Sequence, residues 1–246
     1  MSAPKKFLIA CDIHGDEGDE RAIDACLAHI KDFNPEIRVI GGDLWNFAAI
    51  RAGADDKDKS KSMKSDFEAG KRFADKFFPG GTENHLMLGN HDARAFDLAE
   101  SVDAVRSQLG EEMVKGIKAV AKANNAKLWP YDSRLGVLTL GHLKVIHGFH
   151  TGMSACAAHS RIYGNVVFGH VHSIESYQTP GLKQQEARAI GCLCKLDQGY
   201  ADRKTAKLRW AHGWAWGFLF SDGSYSIHQA KNIKGTFYAG TEIKAY

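Results

Sequence analysis

Four short polar clusters, each following an apolar run, carry the residues best suited to chemistry: Asp12-Ile13-His14, Gly42-Asp43, Gly89-Asn90-His91-Asp92 and Gly169-His170-Val171-His172. His147 ends a fifth apolar run, Leu143–Ile146. Together they offer two carboxylates (Asp12, Asp43), one amide oxygen (Asn90) and the imidazoles of His14, His147, His170 and His172. This nitrogen and oxygen set, without thiolate, suits Mn²⁺ first, and Fe, Zn²⁺, Ni²⁺ or Co²⁺, better than Mg²⁺ or Ca²⁺. It has too many donors for one tetrahedral ion. It fits two divalent transition-metal ions roughly 3.5–4 Å apart that share a carboxylate, the arrangement used for in-line displacement at phosphorus.

Taken singly, each cluster is ordinary. Asp-x-His can be a turn, Asp43 a helix cap, and Gly-Asn-His-Asp a turn closed by its own side chains. Their shared position gives them weight. In an open α/β sheet, ligands bind beyond the carboxyl ends of the strands. Five strand ends could therefore bring these side chains into one crevice.

The elements that must do this positioning are readable from pattern. Lys6–Cys11 and Ile37–Ile40 read as buried strands, separated by a helical pattern through Ala22, Ile23, Cys26, Leu27 and Ile30 that Asn34-Pro35 ends. That order suggests a parallel unit with a right-handed crossover. His85–Leu88 is a third strand. Met63, Phe67, Phe73 and Phe77 are spaced for a helix, and 55–62 reads as a mobile loop. Ala93–Ala123 reads as two helices broken near Gly110. Lys127–Trp129, Leu135–Leu140, Leu143–Ile146 and Val166–Phe168 read as strands, with a short helix over Ser154–Tyr163. Ser173–Thr179, Ala187–Ile190, Gly213–Phe220 and Tyr225–Gln229 continue the strand pattern, the last two joined by a turn at Ser221-Asp222-Gly223-Ser224.

Bulk properties set wide bounds. The 246 residues carry 44% hydrophobic and 25% charged side chains, as expected of a globular protein with a sizeable core. No repeat or linker divides the chain, so one domain spanning 1–246 is expected, with 44–80 as a lid or substrate-selecting insertion. A net charge of +3 neither requires nor excludes nucleic acid. No apolar run approaches the roughly 18 residues of a membrane span, and the N-terminal run is too short for a signal peptide. The odd count of five cysteines reads as reduced thiols of a cytoplasmic protein. Cys192 and Cys194 read as small apolar packing groups. Trp210, Trp214 and Trp216 with Phe218 and Phe220 read as core or as a homodimer interface.

The ordered set Asp-x-His, Gly-Asp, Gly-Asn-His-Asp, a lone His and Gly-His-x-His, from Asp12 to His172, resembles the calcineurin-like metallophosphoesterases. The resemblance implies an α/β fold: a four-layer αββα sandwich, two mixed β-sheets flanked by helices. It implies that Asp12, His14 and His172 hold one ion, that Asn90, His147 and His170 hold the other, and that Asp43 bridges them. His91 is then no ligand. It sits beside the scissile phosphate and protonates the leaving oxygen or stabilises its charge, while a metal-bridging hydroxide attacks in line. Arg94 and His150 are candidate substrate contacts. A solvated helix face for Arg94, and a surface or core position for His150 and His159, are the alternatives. Asp92 is expected to orient its loop.

The chain departs from the protein-phosphatase branch, which carries Gly-Asp-x-x-Asp-Arg-Gly and Gly-Asn-His-Glu. Here the sequence is Gly42-Asp43-Leu44-Trp45-Asn46-Phe47 and Gly89-Asn90-His91-Asp92. Without that arginine to grip a phosphomonoester, the expected substrate is a phosphodiester: a cyclic nucleotide, dinucleotide or nucleic acid. A phosphomonoesterase is the next reading, and a non-catalytic binding scaffold the reading from another class.

Overall fold

Alternation along the first strand sets the layering. In β1 (Lys5–Ala10), Phe7 and Ile9 enter one apolar cluster and Leu8 and Ala10 another. A strand buried on both faces needs a cover on each side. The computed structural model, which describes residues 3–180, 182, 184–197, 208–239 and 243–245, supplies both covers.

β1 pairs in parallel with β2 (Ile37–Gly41), which leads on to β3 (Glu83–Met87) and β4 (Ala126–Trp129), also parallel. The other edge of β1 takes up four consecutive antiparallel strands. These are β10 (Gly213–Leu219) with β11 (Tyr225–Ile233), and β12 (Thr236–Tyr238) with β13 (Ile243–Ala245). The second sheet joins β5 (Leu138–Leu140), β6 (Leu143–Ile146), β7 (Val166–Phe168), β9 (Glu186–Ile190) and β8 (Ile174–Gln178), in that spatial order. Both sheets are mixed, since β6, β7 and β9 run parallel while β5 and β8 run antiparallel at the edges.

Three apolar clusters give four layers. Phe7, Ile9, Val39 and Met87 of the first sheet meet Leu140, Val145, Val167 and Ile190 of the second. The outer face of the first sheet packs on α1 (Glu20–Phe33), α3 (Met63–Phe77), α4 (Asn90–Ala99) and α5 (Ala104–Ala123) through Cys26, Ile30, Phe73, Phe77, Ala95 and Ile117. The outer face of the second sheet packs on α6 (Ala155–Tyr163) through Cys156 and Tyr163. Trp214 and Trp216 belong to the first-sheet core, with the Trp214 indole donating to His29 Nδ1 at 2.8 Å. The α/β sandwich of two mixed sheets flanked by helices is as expected. Among the described residues no helix is long and apolar enough to cross a membrane.

Three expected boundaries differ for a local reason, and β12 and β13 lie beyond the last strand expected. The break between α4 and α5 lies at 100–103, where Asp103 caps the N-terminus of α5, and Gly110 sits inside α5. Gly110 is instead a crossing point: a Cβ there would lie 2.2 Å from Ala99 N. Gly→Ala in an open helix gains about 1 kcal/mol. At this position the sign should reverse, and Gly110→Ala should lose ~1–3 kcal/mol to overpacking, measured by urea unfolding. Leu135–Val137 is not strand, because the Asp132 carboxylate accepts from Arg134 N and Leu135 N at 2.7 Å and holds a turn there. The expected loop at 55–62 contains α2 (Asp56–Lys59), capped by Asp55 accepting from Asp58 N. β12 follows a two-residue turn in which Lys234 and Gly235 both take positive φ. That is the hairpin geometry that Asn-Gly usually announces, here without the usual signal.

Candidate metal centre

Every residue of the expected ligand set follows the carboxyl end of a strand. Asp12 and His14 follow β1, Asp43 follows β2, Asn90 follows β3, His147 follows β6, and His170 and His172 follow β7. β1, β2 and β3 are parallel neighbours, and so are β6 and β7, so these ends gather at one edge of the two facing sheets. The loops are stitched together. Asp12 N donates to Gly42 O, His14 N to Asp43 O and Gly15 N to Leu44 O, at 2.9–3.0 Å, extending the β1–β2 pairing beyond the strands. Gly89 is dictated by contact: a Cβ there would come 2.1 Å from Asp43 Oδ1.

The backbone marks the same residues. Among the described residues nine non-glycines have positive φ, and five of them are Asp12, His14, Asp43, His170 and His172, at φ 51–66°. The left-handed region costs an L-residue roughly 1–2 kcal/mol. Strain of this kind collects where a site over-determines the chain.

The side chains form two adjoining groups. In the first, His14 Nε2 lies 3.1 Å from His172 Nε2, and Asp12 Oδ1 lies 3.4 Å from His172 Nε2 and 3.9 Å from His14 Nε2. In the second, Asn90 Oδ1 lies 3.2 Å from His147 Nε2 and 2.9 Å from His170 Nδ1. Asp43 Oδ2 stands between them, 3.8 Å from His14 Nε2 and 3.3 Å from His147 Nε2. Asp12 and Asp43 are buried, and among the described residues their only ion-pair partners are imidazoles.

The electrostatics describe a cluster that demands positive charge. Burial pushes the Asp43 carboxyl up, but the surrounding imidazoles, His147 first, hold it well below the usual range. Burial opposes protonation of His147 and His172, yet Asp43 beside the first and Asp12 beside the second raise each to about 9. Burial lowers His14 well below its ordinary value, and His170 to about 4. The lone pairs of His147 and His172, drawn to protons by the two carboxylates, are equally suited to a divalent cation, and His14 and His170, kept neutral, hold theirs free. The donor set is hard and borderline, oxygen and imidazole, and it fits the transition ions named above.

His91 stands beside both groups without completing either expected set. Its Nδ1 is 3.0 Å from Asn46 O and 2.9 Å from Asn46 Oδ1, its backbone N donates to Asp43 Oδ1 at 2.8 Å, and its Nε2 lies 3.9 Å from Asp43 Oδ2. A carbonyl acceptor fixes the proton on Nδ1 and leaves Nε2 facing the cluster. Burial lowers His91 to about 4. His14, Asp43 and His91 also converge closely enough to share an ion.

Two buried carboxylates hold the loop that carries Asn46. Asp92 accepts from Gly89 N, Leu44 N and Trp45 N at 2.8–3.3 Å, consistent with an orienting role. Asp66 on α3 accepts from Asn46 N at 3.0 Å and Phe47 N at 2.6 Å. Trp45, fully buried, stacks between Phe47 and Phe67. The 44–80 segment thus positions the loop beside His91. Asn46 and Asp66 were missed in the sequence. The available signal was an acid, Asp66, on the apolar face of an otherwise amphipathic helix. Arg94 Nη1 donates to Asn46 O at 2.7 Å, and His150 lies exposed at the rim with its ring 5.1 Å from that of His159.

His159 is fully buried and accepts from Phe149 N at 3.0 Å and His150 N at 3.3 Å, fixing the loop after His147. Accepting at Nε2 requires that this nitrogen carry no proton, and burial lowers the group to about 4. Its folded value lies below the unfolded 6.5, so its contribution is intact above 6.5 and is lost as pH falls toward 4. The loss should approach ~3 kcal/mol. Urea unfolding of wild type and His159→Gln at pH 7.5, 5.5 and 4.5 should show the difference between them shrinking across that window.

No family model matches the sequence, and no curated relative matches it. Solved structures do align over most of the chain. An archaeal phosphodiesterase is 12% identical, covering 91% of this chain and 99% of its own, with a TM-score of 0.44. Yfce, a phosphoesterase from E. coli, is 15% identical over 91% and 97%, with a TM-score of 0.41. Vacuolar protein sorting 29 from Cryptosporidium parvum is 12% identical over 95% and 100%, with a TM-score of 0.44. At these identities and scores the functional reading rests on the residues of this chain.

Proposed function

We propose that this chain is a calcineurin-like metallophosphoesterase: a phosphodiesterase that uses two divalent transition-metal ions to hydrolyse a nucleotide or nucleic-acid diester. The observation that carries the reading is the buried Asp43 carboxylate, with one oxygen 3.8 Å from His14 Nε2 and 3.3 Å from His147 Nε2, between two donor groups. Asp12, His14 and His172 would hold one ion, Asn90, His147 and His170 the other, and Asp43 would serve both. Bound there, such ions supply Lewis acidity toward phosphoryl oxygens and lower the pKa of water toward neutrality.

The chain's own groups do the rest. Asn46 holds His91 through Nδ1, so Nε2 is the atom that exchanges a proton with the leaving oxygen. An anionic phosphate beside it favours the proton that burial opposes. Asp92 and Asp66 keep that imidazole in register through the 44–47 loop. Phe47 stands where the protein-phosphatase branch carries its arginine, and Arg94 donates to the Asn46 carbonyl. Without an arginine at that position a monoester dianion loses one cationic contact, which favours a singly charged diester. The Mn²⁺-loaded protein should hydrolyse bis-p-nitrophenyl phosphate in preference to p-nitrophenyl phosphate. Strong preference for the monoester would sink the diesterase reading, and inability to bind Mn²⁺ would favour a scaffold.

A further inference from the structure

Imidazoles that bind metal through one nitrogen are usually oriented by an acceptor on the other, commonly a carboxylate or carbonyl. His147 follows that pattern, with Nε2 facing Asp43 and Asn90 and Nδ1 3.0 Å from Gly41 O. His14 does not, because its Nδ1 is buried with no hydrogen-bond partner among the described residues. His172 has a third arrangement. Its Nε2 faces His14 and Asp12, and its Nδ1 lies 3.8 Å from the sulfur of Cys194.

Cys194 is fully buried, and its backbone is fixed on several sides. It bridges Gly18, and its carbonyl accepts from His212 Nε2 at 3.0 Å. Next to it, Leu193 N donates to Asp12 O at 3.1 Å and Lys195 N to Glu17 O at 2.8 Å. The sulfur is thus set in place by the same loop that carries Asp12 and His14. Cys192 stands behind it, its thiol near the carbonyls of Cys194 and Ala211 and hydrogen-bonded to the Cys194 side chain.

We infer that Cys194 is the positioning residue for His172: its sulfur accepts a hydrogen bond from Nδ1–H, which keeps the proton on Nδ1, leaves the Nε2 lone pair toward Asp12 and His14, and thereby supports the ion on that side. This rests on the two-ion reading above. The Cys194 sulfur also lies within 4.8 Å of a ligand nitrogen of His14 and of His172, so direct ligation by the thiol is the competing arrangement that the Co²⁺ arm of the test decides.

The test is titration of the intact apo-protein with Mn²⁺, read by calorimetry and by metal content after dialysis, for wild type, Cys194→Ala, Cys194→Ser and His14→Ala. Wild type should bind two ions. Cys194→Ala should weaken one of them roughly 10–100-fold, the same one lost in His14→Ala, and leave the other within about threefold. Cys194→Ser, which returns an acceptor of similar size, should recover most of that loss. Equal binding in all the Cys194 variants would overturn the inference. So would a serine variant no better than alanine in a protein of native circular dichroism. Sulfur-to-cobalt charge-transfer absorption in the Co²⁺ form would make Cys194 a ligand and overturn it too. A wild type that binds fewer than two ions would instead overturn the underlying reading, whatever the variants do.

Discussion

Asp43→Asn is expected to empty both halves of the cluster, and to cost more activity than any other single conservative change. The substitution isolates the charge. Asn tolerates the left-handed φ of 51° at this position and keeps an acceptor for the His91 backbone N–H. It removes the one carboxylate that faces both His14 and His147. Losing a group that merely supports a ligand costs roughly 10–100-fold in affinity, and losing a shared ligand should exceed that at both positions. The measurement is Mn²⁺ stoichiometry by elemental analysis after dialysis, alongside kcat/KM on a diester. The expected content is below one ion per chain, against two in the wild type. Retention of one tightly bound ion would mean that Asp43 serves a single position.

His91→Ala should produce the opposite division: metal retained, turnover lost. General acid catalysis contributes about 10²–10⁴-fold, and loss of kcat should fall in that range. It should be largest for diesters with poor leaving groups, because a leaving oxygen that departs readily as an anion needs no proton. The geometry makes this a real choice, since His14, Asp43 and His91 converge closely enough to share an ion. If His91→Ala loses metal as Asp43→Asn does, the imidazole is a ligand and not a proton donor. A kcat that falls equally for good and poor leaving groups would point to charge stabilisation alone.

How much of this was legible in the sequence varies with the range of the interaction. Strands that bury both faces announce themselves as apolar runs, and β6 and β7 were bounded to the residue. Polar groups at the strand ends were visible because nothing apolar competes with them there. Helix breaks were less legible. Gly110 carries a breaker's composition, but α5 continues through it because α4 crosses at that point and leaves room only for hydrogen. The residues that hold the site in place were the hardest to see, since their partners are remote in sequence. Asp66 meets Asn46 across 20 positions, and Cys194 meets His172 across 22. Neither pairing leaves a local pattern, and a cysteine among apolar neighbours reads as packing until the fold sets it beside an imidazole.

The proposed chemistry depends on two ions sharing Asp43. Anomalous diffraction from crystals of the Mn²⁺-loaded protein tests it most directly. Two peaks are expected about 3.5–4 Å apart, one among Asp12, His14 and His172, the other among Asn90, His147 and His170, with Asp43 between them. A single peak, or two peaks with Asp43 touching only one, would contradict it.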